Sequence, residues 1–207
     1  MKYHTEQENF WATDFGNDYI DRNEGEKLIA SNVALFSKIL RSAPDIKSAA
    51  ELGCNIGLNL MALNRINKNF NLQGYEINES AAKVASNQKI ASILNTTITE
   101  TLSSHNKFDL TFSKLVLIHI NPEKLETVYD NLYALSNRYI MVCEYYNPSP
   151  VVVEYRGHQN RLFKRDFAGE LISKYNLRLL DYGFNYHRDP YFTNDDATWF
   201  LMEKVNH

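Results

Sequence analysis

Two glycines with an acid just ahead of them make the most chemically pointed stretch of this chain, Glu51-Leu52-Gly53-Cys54-Asn55-Ile56-Gly57. Gly53 and Gly57 let the backbone turn sharply and approach a ligand that a side chain would block. The spacing is GxxxG, not the GxGxxG that seats a pyrophosphate at a helix N-terminus. A ligand here needs little anion capture. Glu51 suits an ammonium, or a water that orders one, with Cys54 and Asn55 bordering it. S-adenosylmethionine, a nucleoside with an amino group and no phosphate, fits that description. The plain alternative is a tight strand-to-helix turn with no ligand. A second acid, Glu76 in Gly74-Tyr75-Glu76-Ile77-Asn78, follows the glycine turn by about 20 residues, where a βαβ unit places a ribose-binding carboxylate. Ile77 and Asn78 would then edge the adenine. Taken by itself, Glu76 reads equally as a strand-end acid facing solvent.

Further along stands Phe112-Ser113-Lys114-Leu115-Val116-Leu117-Ile118-His119-Ile120-Asn121-Pro122. Ser113 and Lys114 fall at a strand end, where the ligand crevice of an open α/β sheet lies. They are candidates for the methionine part of the cofactor or for the acceptor. His119 has a side chain whose ordinary pKa of about 6.5 suits proton removal. The competing expectation is that it caps the helix starting at Pro122. After the next strand come Glu144, Tyr145 and Tyr146, then a basic, aromatic run holding Arg156, His158, Arg161, Lys164 and Arg165. Glu144, His119 and His158 are candidate bases, with Tyr145 and Tyr146 as orienting groups. Tyr146, Arg156, His158, Arg161 and the later Arg188 are candidate acceptor ligands, since arginine matches carboxylate and phosphate in a planar, bidentate way. A solvated basic loop is the alternative for the run. Tyr19 and Arg22, in an aromatic N-terminal segment, are placed over the cofactor carboxylate.

These residues need a scaffold, and the hydrophobic pattern supplies one. A helix is predicted over 24–40 from its apolar spacing, ending before Pro44. Strands and helices then alternate: strand 48–52, helix 58–66, strand 72–75, helix 80–90, weak strand 96–99, strand 108–112, helix 122–135 and strand 139–143. Such alternation predicts a parallel sheet with helices on both faces. After a helix over 166–175, strands at 177–186 and 198–204 have no helix between them, so an antiparallel edge pair is expected. The predicted fold class is α/β, Rossmann-like, with a mostly parallel seven-stranded sheet. Residues 1–207 read as a single domain, with 1–45 as an N-terminal cap and 145–165 as a substrate loop insertion.

The chain has 207 residues, enough for one well-cored domain. Its formal net charge is -3, which argues against a nucleic-acid binder working by bulk electrostatics. Cys54 and Cys143 are the 2 cysteines, without metal-ligand spacing, so no metal and a reducing, cytoplasmic setting are expected. No run approaches the ~18 apolar residues of a membrane span, and the polar N-terminus lacks a signal-peptide core.

The motifs also carry a resemblance. The stretch from Glu51 through Gly57 to Leu60, Leu117-Ile118-His119-Ile120-Asn121-Pro122 and Glu144-Tyr145-Tyr146-Asn147-Pro148 resemble the bacterial pseudaminic acid biosynthesis-associated methylases. Tyr155-Arg156-Gly157-His158, Leu162 to Glu170, Asp181 to Phe184 and Tyr186 to Pro190 extend the likeness over nearly the whole chain. It implies a class I methyltransferase fold with S-adenosylmethionine as donor and S-adenosylhomocysteine as product. The expectation is methyl transfer to N or O of a small acidic metabolite, with a nonulosonic-acid-type sugar as the lead. The alternatives are a macromolecular acceptor, tRNA or a protein side chain, and a non-catalytic cofactor-binding subunit.

Overall fold

The run Tyr139-Ile140-Met141-Val142-Cys143 is buried at every position. A strand covered on both faces needs that, and a half-exposed strand would alternate instead. In the computed structural model, which describes residues 3–13, 15–16, 25–103 and 106–205, this run lies inside a seven-stranded sheet, with strands on both sides. In chain order its strands are β1 (Ser48–Leu52), β2 (Asn71–Glu76), β3 (Ser92–Asn95), β4 (Phe108–Lys114), β5 (Ser136–Glu144), β8 (Leu177–Phe184) and β9 (Thr198–Lys204). They stand side by side in the order β3-β2-β1-β4-β5-β9-β8. From β3 to β5 every pairing is parallel. The last two pairings, β5 with β9 and β9 with β8, are antiparallel. Strands β6 (Val151–Tyr155) and β7 (His158–Lys164) form a separate hairpin.

The helices are α1 (Glu6–Ala12), α2 (Glu26–Ile39), α3 (Leu58–Ile66), α4 (Glu79–Asn87), α5 (Leu125–Leu135) and α6 (Phe167–Tyr175). One sheet face carries α2 and α3, where Ile29, Phe36, Ile39, Leu60 and Leu63 pack on Leu110, Phe112 and Met141. The other carries α5 and α6, where Val128, Leu132, Phe167 and Leu171 meet Ile140, Val142 and Met202. Strand order reverses between β1 and β4. The chain therefore leaves these neighbours in opposite directions and opens a crevice above their C-terminal ends.

Several expectations need correction. The strand expected at 96–99 lies at Ser92–Asn95, and residues 96–99 form a loop after it. As an edge strand β3 is mostly exposed, so it has no apolar signature, while the threonines beyond it mimic one. The helix expected from Pro122 opens as a 3-10 turn over Pro122–Lys124 before α5 begins. The cap expected at 1–45 divides in two: α1 lies over the crevice, but α2 is part of the core. The loop expected at 145–165 is largely the β6–β7 hairpin. Its turn is Arg156-Gly157, both with positive φ (50° and 82°), as a two-residue hairpin turn requires. Tyr19 and Arg22 lie outside the described residues. Among the described residues no helix is long and apolar enough to cross a membrane. Both cysteines are buried free thiols.

Candidate functional site

The glycine loop is held open by hydrogen bonds of its own. Gly53 and Cys54 both donate backbone N–H to the Tyr75 carbonyl, at 2.8 and 3.0 Å, and Gly57 donates to Cys54 at 2.8 Å. Gly53 has φ +80°, and a Cβ there would stand 2.6 and 2.7 Å from the two Val116 methyls. That contact lets the loop after β4 close against the loop after β1. We expect Gly53→Ala to lower unfolding free energy by at least ~1–2 kcal/mol, the cost of left-handed backbone for an L-residue. A thermal melt matching the parent would show that the loop has slack.

Behind this loop Glu51 is fully buried at the end of β1. Its Oε1 accepts from Asn59 Nδ2 at 2.5 Å. Among the described residues, Glu51 Oε2 and Asn59 Oδ1 are buried acceptors without a hydrogen-bond partner. Burial pushes the Glu51 carboxyl up to about 8, against the opposing pull of Asn59 and the Lys114 charge. Glu76, at the end of β2, is nearly as buried. Its Oε2 accepts from the Asn55 N–H at 2.7 Å and its Oε1 from the Asn78 N–H at 2.8 Å. Burial raises its pKa, and these N–H donors act the other way. Asn78 also caps α4, its side chain accepting from Ala81 N–H at 2.9 Å.

A cavity of about 200 Å³ joins these parts. Gly53, Cys54, Asn55, Asn59, Glu76, Ile77, Asn78 and Lys114 line it, and Glu51 stands just behind its wall. Gly57, at the far end of the glycine loop, does not line the cavity; it caps the start of α3. Thr97, Ile98 and Thr99 add a wall after β3; Asn194 and Asp195 add one ahead of β9. Helix α1 is the roof. Glu8 accepts from the Thr97 hydroxyl at 2.5 Å and from the Thr99 hydroxyl, while Gln7 Nε2 donates to the Asn160 carbonyl at 3.0 Å. Trp11 completes the roof, its ring 4.5 Å from His119.

His119 does not cap the following helical turn; Asn121 does that, accepting from Glu123 N–H. The His119 Nδ1 lies 2.7 Å from the Arg161 carbonyl. A carbonyl only accepts, so Nδ1 carries the proton and Nε2 keeps its lone pair. Burial lowers the pKa to about 4, so the ring is neutral at physiological pH. Trp11 and Tyr155, the latter 4.9 Å away, enclose it at the cavity wall.

Glu144 is a different residue from the base that its strand-end position suggests. It is buried, and its Oε1 accepts from Ser113 Oγ and from the N–H groups of Val116 and Leu117, at 3.0 to 3.2 Å. Its Oε2 accepts from Ile118 N–H at 3.4 Å. Ser113 is thereby turned inward, and neither residue lines the cavity. Tyr145, Tyr146, His158, Arg156, Arg161 and Arg188 do not line it either. Tyr145 donates to Asp195 at 3.4 Å, so it reaches the rim. Tyr146 is exposed beside Phe200. His158 packs on Phe10 and Phe15. Arg156 lies over Tyr155 at the hairpin tip. Arg161 pairs with Glu6 at 3.1 Å, tying the hairpin to α1. Arg188 sits on the surface.

Sequence reasoning placed Trp11 in a cap over the crevice but missed Glu8, Asn59, Thr97, Asn194 and Asp195. One had a signal: Thr5-x-x-Glu8 is a capping box, and both of its hydrogen bonds are present. The others became visible only through the tertiary fold.

No protein-family model and no curated protein matches this chain. Solved structures do. Magnesium protoporphyrin IX methyltransferase from Synechocystis PCC 6803, crystallised with bound S-adenosylmethionine, superposes with a TM-score of 0.69 at 12% identity, covering 99% of this chain and 100% of that one. The plantazolicin methyltransferase BpumL in complex with S-adenosylhomocysteine gives 0.65 at 14% identity, covering 96% and 94%. A methyltransferase from Clostridium acetobutylicum gives 0.65 at 12%, covering 93% and 98%. With the strand order and the antiparallel edge pair, these likenesses show that the chain has the Rossmann-like class I methyltransferase fold.

Proposed function

We propose that this chain is an S-adenosylmethionine-dependent methyltransferase acting on a small acceptor that carries an anionic group. The observation that carries the reading is the pair of orphaned buried acceptors, Glu51 Oε2 and Asn59 Oδ1, beside a glycine loop confined by Val116. Buried polar atoms find partners. Two acceptors at one spot suit an ammonium or the water that orders it. At the other end the Glu76 carboxylate accepts N–H groups of Asn55, Asn78 and Ile77, which leaves a lone pair for a ribose hydroxyl. Ile77 and Ile98 offer apolar contact for a purine.

When bound, the cofactor supplies an electrophilic methyl on its sulfonium. The chain's own part is to hold the acceptor in line and exclude water. The α1 roof and the β6–β7 hairpin beside it, tied together through Arg161 and Glu6, favour a small acceptor over RNA or a protein side chain. The sequence resemblance adds a nonulosonic-acid-type sugar as the acceptor to try first. Calorimetry with S-adenosylmethionine and S-adenosylhomocysteine tests the reading. We expect saturable binding that Glu76→Ala weakens about 10-fold or more, by removing a charge-assisted hydrogen bond to the ribose. Failure of the parent protein to bind either compound ends it.

A further inference from the structure

We propose that Lys114 and Asp195 form a dipolar acceptor site, selecting a small amine that also bears a carboxylate or phosphate. The proposal rests on the methyltransferase reading and names its substrate class. Among the described residues Lys114 is the only lysine or arginine on the cavity wall, and it makes no salt bridge within 4 Å. Asp195 is on the same wall and exposed. Lys114 ends β4, and Asp195 lies in the loop three residues ahead of β9. Only β5 runs between those strands, with Cys143 directly beside Lys114. Two strand spacings put β4 and β9 roughly 10 Å apart, with the loop that carries Asp195 leading into β9. A small molecule with an amine at one end and an anion at the other can meet both groups on that wall.

The segment carrying Asp195 is built to hold it. Asn194 is buried and donates to Asn32 Oδ1 at 3.3 Å, and Asn185 N–H donates to the Ala197 carbonyl at 2.9 Å. Tyr145 approaches one Asp195 oxygen, leaving the other for a ligand. The division of labour follows from chemistry. An ammonium has no lone pair, so N-methylation needs the amine neutral. Asp195 accepts the amine proton and passes it to solvent. The nitrogen lone pair forms the new C–N bond as the donor's S–CH3 bond breaks, with that electron pair staying on sulfur. Lys114 fixes the anionic end and makes no bond.

The test uses matched amines: glucosamine 6-phosphate against glucosamine, phosphoethanolamine against ethanolamine, and β-alanine against propylamine. Labelled methyl transfer is measured, together with calorimetric binding of each amine to protein saturated with S-adenosylhomocysteine. We expect the anionic partner to be preferred about 10-fold or more, the scale of one charge-assisted contact. Lys114→Ala should erase that preference in KM and in binding, weakening the amine far more than S-adenosylhomocysteine, on which Lys114 acts only through its charge on Glu51. Asp195→Asn should lower kcat and leave KM for the amine nearly unchanged. The proposal is overturned if protein that binds S-adenosylhomocysteine methylates and binds none of the anionic amines. It is also overturned if Lys114→Ala weakens S-adenosylhomocysteine as much as the amine, which assigns Lys114 to the cofactor carboxylate. Absence of S-adenosylhomocysteine binding by the parent protein marks failure of the methyltransferase reading instead.

Discussion

Glu144→Ala should lower the unfolding free energy by about 3–5 kcal/mol, the cost of leaving four buried donors without their acceptor at about 1–3 kcal/mol each, less what local relaxation recovers. Its carboxylate collects Ser113 Oγ–H and three consecutive backbone N–H groups, from Val116 to Ile118. Those N–H groups sit in a tight turn after Leu115, whose φ is +57°. A branched aliphatic residue adopts that conformation only when its surroundings enforce it. The truncation leaves the donors without acceptors and releases the turn. Val116 then loses its seat on Gly53, and Lys114 and His119, which flank the turn, lose their placement. Urea unfolding monitored by circular dichroism gives the stability change. Glu144→Gln should recover less than half of the loss, because its amide nitrogen points a donor at donors. The rival role, general base, predicts the opposite pattern: an unchanged unfolding midpoint and a collapsed kcat.

Nothing in the local sequence separates this acid from the other two. Glu51, Glu76 and Glu144 each end a parallel strand, and each reads as a crevice-facing carboxylate. The difference comes from what the following loop presents. Glu76 meets N–H groups of Asn55 and Asn78 at the cavity edge, while Glu144 meets donors from a loop some thirty residues earlier in the chain. Periodicity recovered the central strands because burial on both faces leaves apolar runs. It failed at β3, where an edge strand leaves none. It also failed at the hairpin, whose Val151-Val152-Val153 and Arg156-Gly157 were turn and strand signals overshadowed by the charges around them. Those charges drew attention to Arg156, Arg161 and Arg188. Lys114, the single lysine on the wall among the described residues, was legible by another route, its place at a strand end that opens on the crevice.

Cofactor affinity should rise with pH from 6 to about 8 and then decline. Burial holds the Glu51 carboxyl up at about 8 in the ligand-free protein, against an ordinary value of 4.5. A cationic ammonium beside it favours the ionised form, so binding expels a proton wherever Glu51 starts protonated. In that window the dissociation constant for S-adenosylmethionine should fall by up to about tenfold per pH unit. Above the window the ligand's own amino group, with an ordinary pKa of about 7.7–8.0, loses its charge. Titrations in buffers of different ionisation enthalpy will count the proton. The same group acts on stability with the opposite trend. A carboxyl raised in the folded state stabilises most below its unfolded pKa, and that contribution is lost as pH rises from about 4.5 through about 8. Glu51→Gln cannot ionise. The variant should therefore melt higher than the parent at pH 8 without ligand, yet bind the cofactor more weakly and without the rise between pH 6 and 8. If the variant keeps the parent's pH dependence of binding, the linked proton belongs to another group. A variant that melts lower at pH 8 would mean that the Asn59 contact outweighs the burial of the charge. The expected pair of results, more stable and less able to bind, is what a charge buried for a ligand and not for the fold must produce.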